Sequence, residues 1–391
     1  GAPARTVYLM RHCVRSVFPN LQGRGAAGFD HYANYTSHGP LPDWGTPPSY
    51  CTPRGVELIK GEGAYLADEL KQAMGKPGVI KVVEDASAHR DLTTAAALLE
   101  GAGLTTARVG TANAPLFDPA KAGFCPYPTS PQYVRAIEAN LASTPKLDDA
   151  DELLARMQAA LGKGVAPPIP EINNTIVLEG YWEGGMYMAS EWAEAFLLQY
   201  GSGIEVGYGR VSVDDVYDYM RLHTYYRAVN DRPYLIEQRG QSDLLAHMLW
   251  DLHDNTSKLR RTADARSSDA PGASDALASV YVGHDTNIDG INVLLNLTWD
   301  AAPYPRDATP PGSMLRLRAD DGGVTAAFLY ATFEEGSVGA LTEVPALFDG
   351  VSDTVTRADF NMRAGFAIDW DCVRDTPNGE GAWGAGAAAF A

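Results

Sequence analysis

Basic residues are scarce in this chain: Lys and Arg number 31 against 49 Asp and Glu, a formal net charge of -18. That imbalance argues against nucleic acid or an anionic membrane surface as the main partner. Long apolar runs are also lacking. None approaches the ~20 residues that cross a bilayer as a helix, so no membrane partner is expected. There is no internal repeat. No cluster of His, Asp and Cys falls at metal-ligand spacing, so neither a metal nor another cofactor is expected. The N-terminal "GAPARTVYLM" has no initiator Met, and Ala-Pro-Ala precedes the first strand. This looks like the end left by signal-peptide removal, and a cloning remnant would also explain Gly1. Cysteines are few: Cys13, Cys51, Cys125 and Cys372. In an exported protein an even count reads as two disulfides with three pairings open; in a cytosolic enzyme it reads as four buried thiols.

What is present points to a globular enzyme. With 391 residues, 45% hydrophobic and 20% charged, the chain is long enough for one large α/β domain with a sizeable insertion, or for two domains. Residues 6–10 read as a buried strand and 20–50 as a long surface loop. "TPRGVELIKGEGAYLADELKQAMG" has helical spacing, with Thr52 as N-cap and Pro53 in the first turn. "GVIKVVEDA" reads as a strand, "RDLTTAAALLEGAG" as a helix and "TARVGTA" as a strand. This alternation predicts an α/β fold with a largely parallel sheet. From 128 to 260 the character turns helical, which predicts a mainly α insertion domain in a discontinuous core of residues 1–127 and 261–378. "TADARSSDAPGASD" reads as an exposed loop, "ALASVYVGHDTN" as another strand, the stretch after it as one or two more strands, and 379–391 as a loosely ordered tail.

Two strands end in chemistry. Leu9-Met10 runs into Arg11-His12, and Tyr281-Val282 runs into His284-Asp285; Arg90 follows a third strand. Ligands of parallel α/β sheets bind at the carboxyl ends of strands. Arginine forks suit phosphate oxygens, and Arg11, Arg15 and Arg90 around one point would repel one another without an anion. A histidine among them stays neutral more readily, and a neutral imidazole is a nucleophile. Arg90 in the first turn of its helix is unfavourably placed against the dipole unless an anion lies there.

These features together resemble the histidine acid phosphatases, whose motifs are Arg-His-Gly-x-Arg-x-Pro near the N-terminus and His-Asp near the C-terminus. Within that family the likeness is to bacterial periplasmic phytases and glucose-1-phosphatases. It runs through roughly residues 6–372: "TPRGVELI" (52–59), "RDLTTAAALLEGAG" (90–103), "PLFDPAKAGFC" (115–125), "EAFLLQY" (194–200), "GHDTN" (283–287) and "TPPGSMLRL" (309–317) stand in family order. The resemblance implies a phosphoglycerate mutase-like core and an acid phosphomonoester hydrolase without cofactor or metal, periplasmic or secreted, acting on sugar phosphates or phytate. It implies that His12 is phosphorylated, that Arg11, Arg15, Arg90 and His284 hold the phosphate, and that Asp285 protonates the leaving alcohol. An optimum below neutrality follows if the arginines do not hold Asp285 ionised. With the resemblance also come a Cys125–Cys372 bridge and a Cys13–Cys51 bridge, the second with a free Cys13 thiol as its alternative.

The chain departs from the family at Cys13, where the motif has glycine, and at Val17, where it has proline. Pro19 stands where phytases carry a lysine, and Glu191 near where they carry an apolar residue. Both changes favour a less charged substrate than phytate. Glu191 and Glu194 are most simply exposed helix residues, or else they border the substrate. His31, His38, His89, His223, His247, His253, Arg24 and Arg54 read as structural or surface residues. Two other functions share these features. One is a catalytically silent phosphate-ligand binder, suggested by the altered Arg-His-Cys loop. The other is a phosphoglycerate mutase-like isomerase, a class that lacks the His-Asp motif and the large α insertion.

Overall fold

The computed structural model describes residues 3–18, 32, 35–74, 80–104, 109–112, 116–117, 125, 128–162, 185–252, 276–334 and 340–373. The loop read at 262–275, the tail at 379–391, and Pro19, Arg24, His31 and His253 lie outside them.

Strand β1 (Arg5–Arg11) is buried along its whole length, as expected of a central strand covered on both faces. In chain order the other strands of its sheet are β2 (Lys81–Asp85), β3 (Val109–Ala112), β4 (Ala278–Gly283), β5 (Met314–Asp320), β6 (Gly323–Tyr330), β7 (Thr342–Pro345) and β8 (Thr354–Val355). The spatial order is β8-β6-β5-β1-β4-β2-β3, with β7 also paired to β6. Strands β1, β4, β2 and β3 run parallel. Strands β5 to β8 form an antiparallel flank. That flank holds more strands than the sequence reading gave to the C-terminal stretch.

Alternation along β1 divides the core in two. Val7 and Leu9 belong to one buried cluster with the helical region, while Tyr8 and Met10 belong to another. The second cluster packs on helices α1 (Pro53–Tyr65), α2 (Ala67–Ala73) and α3 (His89–Gly101). The single helix expected from Thr52 onward is therefore two, broken at Leu66. Its start is as expected: the Thr52 side chain accepts from the Gly55 N–H, and a proline opens the helix. Gly55 is required by closeness, since a Cβ there would lie 2.2 Å from the Val14 carbonyl oxygen. This contact seats α1 directly behind the 12–16 loop.

Helices α4 (Ser130–Ser143), α5 (Ala150–Leu161), α6 (Gly185–Ser202), α7 (Val213–Asn230) and α8 (Tyr234–Leu252) follow, with no strand among the described residues of 128–252. Helix α9 (Asp285–Leu295) leaves β4 at once, and its first turn is tied down by the Asn287 side-chain oxygen, which accepts from the His284 N–H at 2.8 Å. Two disulfides, Cys13–Cys51 and Cys125–Cys372, join the expected pairs, so Cys13 is not a free thiol. No helix is long and apolar enough to cross a membrane among the described residues.

Candidate active site

Register brings the site together. Arg11 pairs with Gly283 across β1 and β4, and Glu84 pairs with Val282 across β2 and β4. The residues leaving these strand ends, His12, His284 and Asp85, are thereby neighbours. The His12 N–H donates to the Gly283 carbonyl at 2.9 Å, and the His12 carbonyl accepts from Gly312 at 3.0 Å. Gly312 has φ +80, a conformation that glycine adopts without strain. The neighbouring Arg15 forms an isolated backbone bridge with Cys51, so the Cys13–Cys51 disulfide stitches together two chains already paired.

His12 is 2% exposed. Its Nδ1 lies 2.9 Å from the Cys13 carbonyl oxygen. A carbonyl only accepts, so Nδ1 carries the hydrogen and the neutral ring has its lone pair on Nε2. Burial, then Arg90, Arg11 and Arg15, hold the imidazole well below its usual range, so it is neutral.

The three predicted arginines surround it. Arg11, 1% exposed, donates from Nη1 to the Thr309 carbonyl at 2.6 Å. Its Nη2 bonds Glu194 and lies 3.1 Å from Asp285 Oδ2. Arg15 Nη1 donates to the Ser16 carbonyl at 3.1 Å, its Nη2 reaches Glu194 at 3.5 Å, and its guanidinium lies 4.1 Å from the centre of the Phe18 ring. Arg90 stands in the first turn of α3, which has no side-chain cap, and donates to His284 Nδ1 at 3.4 Å. The Nε–H groups of Arg11, Arg15 and Arg90 are buried and have no hydrogen-bond partner within the protein.

His284 sits between two carboxylates, with Nε2 3.2 Å from Asp85 Oδ2 and Nδ1 3.5 Å from Asp91 Oδ2. Since Arg90 donates to Nδ1, Nε2 is the nitrogen that donates to Asp85. Burial lowers the affinity of His284 for a proton, and Arg90 adds to this against the hydrogen bond to Asp85. Burial pushes the Asp85 carboxyl up, but the hydrogen bonds from His284 and Ser87 prevail and bring it down to about 2. Asp91 is fully buried, and burial holds its carboxyl well above the usual range.

Asp285 lies between Arg11 and Arg227, whose Nη2 is 3.6 Å from Oδ1. Burial would raise it, yet Arg11 and Arg227 outweigh burial and hold it well below the carboxylate range. The arginines therefore do hold this aspartate ionised in the protein without substrate. The expectation of exposed helix residues at 191 and 194 is corrected. Glu194 is buried between Arg11 and Arg15, which bring it down to about 2 despite burial. Glu191 is half-buried one turn earlier, accepts from the Tyr32 hydroxyl at 3.4 Å, and is raised to about 8 by burial and then by Glu194.

Sequence reasoning missed four neighbours of this site. His223, which reads as structural in the sequence, is buried beside Glu194 and Asp285 with Nδ1 2.9 Å from Ser190 Oγ. Arg227, Asp85 and Asp91 were not singled out. One signal was available: His223 and Arg227 are one helical turn apart, as Glu191 and Glu194 are. Two groupings, Asp85/Asp91/His284 and Glu194/His223/Asp285, bring potential metal-ligand atoms within 4.8 Å of one another. Each already has a guanidinium against it, Arg90 in the first and Arg11 with Arg227 in the second. A second cation there would be repelled.

No protein-family model matches the sequence, and no curated protein matches it. Solved structures do. The Hafnia alvei phytase in complex with myo-inositol hexakis sulphate is 23% identical, covers 96% of this chain and 100% of its own, and superposes with a TM-score of 0.77. The Citrobacter braakii phytase is 22% identical over 94% of this chain and 98% of its own, with a TM-score of 0.76. The Klebsiella sp. ASR1 phytase is 18% identical over 95% and 98%, with a TM-score of 0.74. The chain has the fold of these bacterial phytases, which is the fold expected from the sequence.

Proposed function

We propose that this protein is a phosphomonoester hydrolase that works through a phosphohistidine at His12. The observation that carries the reading is the set of three buried arginine Nε–H groups without a protein partner, around an imidazole held neutral with its lone pair on Nε2. Orphaned buried donors are costly, and three of them on guanidinium groups whose charges all act on His12 suit an oxyanion. In this reading the substrate phosphoryl group lies on Arg11, Arg15, Arg90 and His284. Nε2 attacks phosphorus in line with the departing alkoxide, and the arginines take up the charge of the transferring group. Asp285 protonates the alkoxide. Its Arg11 contact is loosened when Arg11 turns to the phosphate, so the carboxylate gains proton affinity as substrate binds. Water then hydrolyses the phosphohistidine, with Asp285 taking the proton.

The fold likeness to phytases supports the reaction class and makes phytate a substrate to test. The charges favour a smaller anion. Arg11, Arg15, Arg90 and Arg227 face the ionised Glu194, Asp285 and Asp85, so little positive charge is left for further phosphates. A sugar phosphate fits better: the protonated Glu191 carboxyl can donate to a hydroxyl. We place the protein in the periplasm or outside the cell, where its two disulfides persist, and read 128–260 as an insertion domain over the core. A silent binder is the weaker reading, since the cysteine that suggested it is bridged beside the loop and need not block the pocket.

The test is a panel of glucose-1-phosphate, other sugar phosphates, phytate, nucleotides and p-nitrophenyl phosphate, compared by kcat/KM at acid pH with His12→Ala as control. Turnover of sugar phosphates above phytate, lost in His12→Ala with the fold retained, is expected. No turnover of any ester would refute the reading, and a tenth or more of wild-type rate in His12→Ala would remove the nucleophile.

A further inference from the structure

Helix α7 presents a residue to the site that the mechanism above does not use. Arg227 is largely buried, and its three nitrogens are spoken for by acids. Nε and Nη2 donate to Asp289 Oδ2 at 2.9 and 2.5 Å, and Nη1 pairs with Asp231 Oδ2 at 3.0 Å. Asp289 is itself fully buried and is gripped on its other oxygen by Arg232, whose Nη2 also donates to the Asp307 carbonyl at 2.6 Å. Arg227 is therefore not a loose surface cation that swings with solvent. It is a charge fixed by two acids, with its Nη2 held 3.6 Å from Asp285 Oδ1.

The result is a buried row of alternating charge: Arg232, Asp289, Arg227, Asp285, Arg11, Glu194, Arg15. Its two ends differ in what substrate does to them. In the phosphatase reading Arg11 and Arg15 belong to the phosphate cradle and would share their charge with the phosphoryl group. Arg227 lies on the other oxygen of Asp285, and its remaining contacts are to Asp289 and Asp231 of the fold itself. Of the two cations on Asp285, Arg227 is the one that lies outside the cradle.

We propose that Arg227 is the positioning residue for the proton donor: pinned by Asp289 and Asp231, it holds the Asp285 carboxyl toward the leaving group and sets the pH above which the reaction loses its acid. This rests on the phosphatase reading and deepens it. The donor has many charged neighbours. From β1 and the residue after it, Arg11 and His12 face Asp285; from α6, Glu194 and Glu191; from α3, Arg90 and Asp91; from α7, His223 and Arg227. His284 precedes it, Asp289 lies one turn on in its own helix, and Asp231 follows α7. Most of these either engage the phosphate or lie beyond Arg227, so removing the Arg227 charge leaves the donor with a field dominated by acids. A nearby opposite charge typically moves a carboxyl by about 1–3 pH units.

The experiment compares kcat against pH for a sugar phosphate, which needs the acid, and for p-nitrophenyl phosphate, which does not, in wild type, Arg227→Gln and Arg227→Lys. In Arg227→Gln the alkaline limb for the sugar phosphate should move up by about 1–2 pH units. In Arg227→Lys, which keeps the charge, it should return toward wild type. The p-nitrophenyl phosphate profile should move less in both. If Arg227→Gln does not fold, the charge-balanced Arg227→Gln/Asp231→Asn carries the same expectation, because the arginine is the nearer charge. An unmoved limb in a folded variant, with kcat merely lowered at every pH, would overturn the proposal and leave Arg227 a structural ion-pair residue. Wild-type enzyme that turns over neither ester would instead overturn the phosphatase reading.

Discussion

Glu191→Gln is the substitution whose consequence can be worked out most fully. In the folded chain the carboxyl faces Glu194 one turn away and the Tyr32 hydroxyl, and burial with Glu194 raises it from its ordinary 4.5 to about 8. In the unfolded chain it titrates near the ordinary value. Between these pH values the unfolded state has released a proton that the folded state keeps, so stability from this group falls as pH rises. The contribution is fully present below about 4.5 and is lost as pH rises through about 8. At ~1.4 kcal/mol for each tenfold change in proton affinity, the interval is worth about 5 kcal/mol as an upper figure, less what the pocket opening screens. Glutamine has no proton to lose. Urea unfolding of both proteins from acid to mildly alkaline pH should give curves that diverge, with the variant gaining several kcal/mol on wild type as pH rises. Carboxylates that do not interact with Glu191 cancel in the difference. In activity, wild-type KM for a dianionic ester should climb near pH 8 as Glu191 ionises, and the variant should lack that rise. Parallel stability curves would refute the placement of a neutral Glu191 in the pocket.

Asp285→Asn should slow sugar phosphate hydrolysis by about 10²–10⁴-fold, the usual worth of a general acid, and p-nitrophenyl phosphate hydrolysis far less in single-turnover measurements. Equal losses would mean that Asp285 places phosphate or water, and Glu191 would become the next donor to mutate. Vanadate should inhibit and EDTA should leave activity intact, because guanidinium groups already occupy the cation positions beside both carboxylate–histidine groupings; activity lost on chelation and restored by a divalent ion would contradict this. Replacing Cys13 and Cys51 together by serine should cost about 4 kcal/mol of stability, the chain-entropy value for a bridge between residues 38 apart, and an unchanged denaturation midpoint would show that the backbone pairing of Arg15 with Cys51 suffices.

What could be read from the sequence was what local pattern records. Val7–Met10 and Val280–Val282 are unbroken apolar runs that end in ionisable residues, so both strands and the Arg11-His12 and His284-Asp285 ends were legible. Arg90 stood out because a cation at a helix N-terminus opposes the dipole. The acids were not legible. Asp85 and Asp91 are two among 49 acidic residues, and only the β2–β4 register and the first turn of α3 make them partners of His284. Glu194, His223 and Arg227 come from helices α6 and α7, and α6 is buried nearly all round. On α7 the buried face carries His223 and Asn230 among Val216, Tyr219, Met220 and Val229, so polar residues interrupt the apolar stripe that would mark it. Nor could spacing show that Arg227 is pinned by Asp289, a contact across 62 residues.

The central claim is a covalent phosphate on His12, and rapid-quench trapping tests it most directly. Wild-type enzyme mixed with a phosphate-labelled ester and quenched in base should carry an acid-labile, base-stable label in the peptide that contains His12, formed before product phosphate and discharged by water. A chain that releases phosphate at full rate with no label at His12, or with label elsewhere, would contradict the account.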